Sequence, residues 1–133
     1  MGAWGVGPFE NDEALDWVAE LEDQGLIAAG FAFQDIREFA DEYLEAPACS
    51  AAIAAAEVVA ALRGNPAAEL PENVATWIAA HPGDPGAELV LAARLAIDAV
   101  LSDSELAELW SGSEEGEAWR SRVLDLQRRL QLR

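Results

Sequence analysis

Two side chains in this sequence can attack or move protons near neutral pH: the single cysteine, Cys49, and the single histidine, His81. A thiol becomes a working nucleophile when an imidazole meets it in space. Cys49 opens an alanine-rich run, and His81 stands in the loop His81-Pro82-Gly83-Asp84-Pro85-Gly86. Nothing in that spacing brings them together. The expectation is an inert, buried thiol and a plain loop imidazole. Ser50, Ser102, Ser104, Ser111, Ser113 and Ser121 all lie outside a G-x-S-x-G nucleophile turn. No catalytic residue is assigned, and the reading is of a protein that is not an enzyme.

Carboxylates are the abundant chemistry. Asp and Glu number 25 against 8 basic residues, all of them arginine, for a net charge of −17. There is no C-x-x-C, no H-E-x-x-H and no Glu-x-x-His pattern. Glu10-Asn11-Asp12-Glu13 lacks the ligand spacing of a calcium loop. Asp12 with Asp16, and Asp35 with Glu38 and Glu42, share helical faces and could hold a divalent ion. The plainer reading is helix capping and a solvated acidic face, so no metal site is assigned. Gly2, Gly5 and Gly7 have neither the spacing nor the preceding strand of a dinucleotide loop, and no cofactor is expected.

The charge is unevenly spread. Residues 1–62 carry thirteen carboxylates against Arg37, whereas residues 118–133 carry five arginines against Asp125. An acidic body repels nucleic acid and anionic membrane surfaces, and it steers a basic protein inward. The aromatic residues are not interleaved with basic ones, as a single-strand-binding surface requires. The candidate protein-binding face is therefore Asp35, Glu38, Asp41, Glu42 and Glu45. No run of roughly eighteen uncharged apolar residues is present, so no membrane span is expected. No basic segment precedes an apolar one at the start. With a lone cysteine, that makes the cytoplasm the expected location.

These residues need elements to position them. Asn11 reads as the cap of a first helix, with Asp12, Glu13 and Asp16 near its positive end. Ala14, Trp17, Val18 and Leu21 give it an apolar stripe, and Gly25 ends it. Residues 26–30 read as an apolar link. A second helix is expected over residues 33–45, with Ile36, Phe39, Ala40 and Tyr43 inward and the acidic face outward. Pro47 marks a boundary before a third helix over residues 50–63, whose small side chains suit the centre of a bundle. A fourth helix has Pro71 in its first turn and runs to Ala80. A fifth spans residues 87–101. Ser102 or Asp103 caps a sixth over residues 105–110. A last helix covers residues 115–130. Its stripe of Trp119, Val123, Leu126 and Leu130 can close the bundle or pair two copies. The one threonine, Thr76, and the absence of alternating patterns argue against a sheet. The expectation is an all-α, compact single domain over residues 1–133, built of six or seven short helices. A Gly/Trp-rich N-terminal segment packs on it as a clasp formed by Trp4, Phe9, Asn11, Asp12, Asp16 and Trp17.

Gly2-Ala3-Trp4-Gly5, Gly7, Phe9, Asn11-Asp12, Ala14 and Asp16-Trp17 together resemble the opening of a bacterial family known as domain of unknown function 4259. The resemblance continues through residues 55–62, Ser102 to Trp110 and Trp119-Arg120, and so spans essentially the whole chain. It implies a shared fold and carries no mechanism. The functional expectation rests on the residues themselves: a small acidic, non-enzymatic protein-binding or adaptor module. One concrete version resembles an immunity protein that blocks a basic toxin or nuclease. The rival is a carboxylate- or divalent-metal-dependent enzyme. A monomer, or a homodimer through the C-terminal helix, is expected.

Overall fold

The computed structural model describes residues 5–132, and Trp4 lies outside them. Seven helices follow one another: α1 (Asp12–Gln24), α2 (Ile27–Phe39), α3 (Ala46–Leu62), α4 (Glu72–Ala80), α5 (Ala87–Ser102), α6 (Glu105–Ser111) and α7 (Gly116–Gln131). No strand occurs among the described residues. None of the helices is long and apolar enough to cross a membrane.

The first helix follows its local signals. The Asn11 side chain accepts a hydrogen bond from the Ala14 N–H at 2.8 Å, satisfying a donor that the helix itself leaves free. Gly25 ends the helix at φ 80°, a backbone conformation that favours glycine. Ala14, Trp17, Val18 and Leu21 are buried.

The second helix departs from its expected bounds by six residues. The apolar stretch 26–30 is not a link but the entrance of α2, which starts at Ile27 and stops at Phe39. Its buried face is Ala28, Ala29, Ala32, Phe33 and Ile36, a complete stripe in helical register. Of the inward residues expected from the later frame, only Ile36 is buried. Phe39, Ala40 and Tyr43 are exposed. The longer apolar stripe buries more surface, so the earlier register wins.

The third helix also begins early, at Ala46. Pro47 sits in its first turn, where a missing N–H costs nothing. Cys49, Ala52, Ala54, Ala55, Val58 and Ala60 are wholly buried, because α3 packs against α1, α2, α4, α5, α6 and α7. It is the central helix, as its small residues suggest. Two N-terminal corrections follow the same capping logic. Pro71 is the residue before α4 and not inside it. Ser104, rather than Ser102 or Asp103, caps α6: its hydroxyl accepts from the Ala107 N–H at 3.1 Å and donates to the Val100 carbonyl at 2.7 Å.

The sixth helix in turn caps the third. The Glu105 carboxylate accepts from the Ala46 N–H at 2.7 Å, and the Glu105 N–H donates to the Leu44 carbonyl at 2.9 Å. Residues 59 apart in sequence thus close the positive end of α3. Helix α7 packs on α3, α5 and α6 and buries Trp119, Val123, Leu126 and Leu130 within the chain. That stripe is spent on closing the bundle.

Candidate functional site

Two surfaces gather the residues singled out in the sequence. The first is a cleft beneath the N-terminal turn. Gly5 to Pro8 pass over it, Asn11 and Glu13 flank it, and Ala46, Ser50, Ile53 and Glu57 form one wall from α3. Leu106, Trp110, Trp119, Arg122 and Val123 complete it from α6 and α7. Its volume is about 200 Å³.

The turn above the cleft is organised by Glu10. Its carboxylate accepts from the Gly7 N–H at 2.9 Å, while its own N–H donates to the Gly7 carbonyl at 3.1 Å. A methyl group added at Gly5 would lie 2.6 Å from the Glu10 carboxyl carbon. The small residues at this position therefore leave room for a carboxylate. Phe9 is buried in the core, and Trp17 donates its indole N–H to the Ala28 carbonyl at 3.1 Å, tying α1 to α2. Asp12 stands in the first turn of α1, and Asp16 is exposed on the outside of that helix. Within the expected clasp, then, Phe9, Asn11 and Trp17 are structural anchors. Trp4 falls outside the described residues.

On the opposite wall, Trp110 and Trp119 stack with centroids 6.3 Å apart and planes 9° from parallel. Beside them lies the one carboxylate of the α3 interior. Glu57 is only 2 % exposed. Its two oxygens accept from Arg129 Nη1 and Nη2, both at 2.9 Å. Arg129 Nε donates in addition to Asp125 at 2.7 Å, and Nη1 to the Asn65 carbonyl at 3.2 Å. Burial raises the Glu57 carboxyl above the ordinary glutamate range, and the Arg129 fork works against that rise. The fork places an N–H on each oxygen, the geometry of an ionised carboxylate. Hydrogen bonding to Arg129 holds Asp125 below the usual range.

Glu57, Arg129, Ser50 and Glu10 were not among the sequence-stated site residues. A signal for Glu57 was present, since it is the lone charge in the run 46–62. A carboxylate there is affordable only with a buried cation facing it. Which arginine supplies that cation is not written locally.

The second surface is the acidic corner between α2 and α3. Because α2 stops at Phe39, the five carboxylates of the expected face do not share one helix. Asp35 and Glu38 stand on α2, Asp41 and Glu42 in the turn after it, and Glu45 caps α3; all five are exposed. Asp35 and Glu45 meet at one hollow of about 280 Å³ with Phe39, Tyr43, Leu44 and Ala48. Glu38 instead lines a groove between α2 and α5, beside Arg37. Phe39 and Tyr43 are 47 % and 49 % exposed. The Tyr43 hydroxyl donates to Glu108 at 3.3 Å. Desolvation, with the carboxylates of Glu108, Glu105 and Asp103, raises the Tyr43 phenol. Negative charge therefore continues from this corner onto α6.

The remaining candidates are separately engaged. Cys49 is fully buried, and burial pushes its thiol up to about 11. His81 stacks on Trp77 at 4.2 Å, with Nδ1 2.8 Å from the Trp77 carbonyl oxygen. The structure therefore does not assemble a Cys–His pair. No three His, Cys, Asp or Glu side chains converge as a metal cluster among the described residues.

The architecture defines an all-α protein with an alanine-rich central helix, a clasped cleft and an acidic aromatic corner. Residues 2–122 match the family described as Domain of unknown function (DUF4259), and the chain belongs to it. The match takes in the N-terminal turn, the acidic corner and Glu57, and it ends before Asp125 and Arg129. No curated protein and no solved structure matches the chain.

Proposed function

We propose that this protein is a non-enzymatic protein-binding or adaptor module, and that its acidic aromatic corner takes a basic segment of a protein partner. The supporting observation is the hollow that joins Asp35 and Glu45 to the half-exposed rings of Phe39 and Tyr43. Aromatic faces attract guanidinium and ammonium groups, and nearby carboxylates add to that attraction. An arginine or lysine side chain entering here meets both. The surrounding charge raises the encounter rate with a basic partner and makes it sensitive to salt. A partner of this kind includes the basic toxin or nuclease of an immunity-type complex.

The test is affinity capture from the native host at moderate and at high salt, after nuclease treatment. The expected result is a basic protein held at moderate salt and released at high salt. The charge-reversed variant Asp35→Lys, Glu38→Lys, Asp41→Lys, Glu42→Lys is expected to capture none of it. Retention of the same partner by that variant overturns the reading. The module acts as a monomer in this proposal, since the α7 stripe that could pair two copies is already buried within the chain.

A further inference from the structure

We infer that the cleft beneath the N-terminal turn is a binding site for a small, neutral aromatic molecule that carries a hydroxyl or N–H donor. The site is distinct from the acidic corner and does not depend on it.

Size comes first. The cleft measures about 200 Å³, and a closed apolar cavity of roughly 150 Å³ already holds a benzene ring. The walls come next. Ile53, Leu106 and Val123 are apolar, and the stacked pair Trp110 and Trp119 offers a flat aromatic boundary. A planar ring gains both area and quadrupolar contacts against such a wall.

The polar groups decide what the ring must carry. Ser50 is only 7 % exposed and lines the cleft. Ser102 and Ser104 return their hydroxyls to the carbonyls four residues earlier, at 2.7 Å each. Ser50 makes no such bond. No enclosed side-chain polar atom among the described residues lacks a partner, so the Ser50 hydroxyl opens onto the cleft, where a ligand can replace the water that solvates it. Glu57 lies on the same wall about two turns further along α3. Arg129 donates one bond to each of its oxygens, whereas a carboxylate has about four acceptor positions. Both groups therefore accept from a ligand donor.

Charge selects a neutral ligand. Arg129 already balances Glu57, and Glu13 and Arg122 line the cleft with opposite charges, so the charges around it cancel. A charged ligand of either sign meets one of Glu13 and Arg122 as a like charge. A phenol or an indole satisfies the acceptors and leaves the ion pair in place.

The experiment is a titration of the full chain with phenol, indole, benzene and benzoate, followed by the methyl NMR signals of Ile53 and Val123. Phenol and indole are expected to shift both residues saturably in the millimolar range, with benzene weaker and benzoate silent. Ser50→Ala is expected to weaken phenol about tenfold, the size of one lost hydrogen bond, and to leave benzene unchanged. Its unshifted methyl spectrum without ligand checks that the variant folds. If neither phenol nor indole moves the Ile53 and Val123 signals, the site is rejected. Equal binding of phenol by Ser50→Ala and the parent rejects it as well, and so does benzoate binding as tightly as phenol.

Discussion

Arg129 holds Glu57 with both terminal nitrogens, at 2.9 Å to each carboxylate oxygen, and so binds the end of α7 to the central helix α3. The two residues are 72 positions apart and both are buried. Taking two charges out of water is expensive, and the pair is tolerable because four of the five N–H groups of the guanidinium are used. Removing one partner strands the other. Arg129→Met is expected to destabilise the protein by about 3–5 kcal/mol, read as a fall in the denaturant midpoint. The double variant Glu57→Leu, Arg129→Met is expected to recover most of that loss.

The same pair sets a pH dependence. The folded-state value for Glu57 lies above the ordinary 4.5, chiefly through burial. Folded protein therefore binds the Glu57 proton more readily than unfolded protein does. By linkage, this group's contribution is largest below 4.5 and declines as pH rises through its folded value. Asp125 behaves in the opposite sense: its stabilisation is present above 3.8 and is lost as pH falls through its lowered folded value. Unfolding of the parent and of Glu57→Gln, compared across the weakly acidic range, isolates the Glu57 term. The stability difference, parent minus variant, is expected to shrink as pH rises from 4.5.

Cys49 is the one thiol, with no exposed surface and a proton held up to about 11 by burial. The thiolate is the reactive species. A chromogenic disulfide reagent at neutral pH is expected to label the native protein only as fast as the chain opens. In denaturant, labelling of one thiol per chain is expected to be immediate. Rapid native labelling would contradict the burial of this residue.

Two glycines make opposite predictions for the same substitution. At Gly116, the first residue of α7, an added methyl would collide with the Trp110 carbonyl, coming within 3.0 Å of its carbon. The obstacle is backbone and cannot rotate away. Gly116→Ala is expected to cost about 1–3 kcal/mol, as overpacking does. At Gly30, inside α2, nothing lies within 4 Å of that methyl. Gly30→Ala is expected to stabilise the protein by about 0.5–1 kcal/mol through helix propensity alone. Thermal or chemical unfolding of the pair measures both.

What the residues determined by themselves is local. The all-α class, the Asn11 cap and Gly25 stop of α1 and the apolar stripe of α7 all follow from capping and from a 3.6-residue period. Those signals act within a turn or two, and the packed chain leaves them in place. The frame of α2 was different. Two apolar patterns overlapped between residues 26 and 43, and only contact with α3 and α5 chose the earlier one. That choice stopped the helix at Phe39, divided the acidic face, and exposed Phe39 and Tyr43 beside Asp35 and Glu45. The cleft is the extreme case. Its walls come from the N-terminal turn, α3, α6 and α7, and its buried carboxylate is matched by an arginine from the far end of the chain. Pairing over such separations is decided by tertiary packing, because the cost of a buried charge is felt only once the fold has excluded water around it.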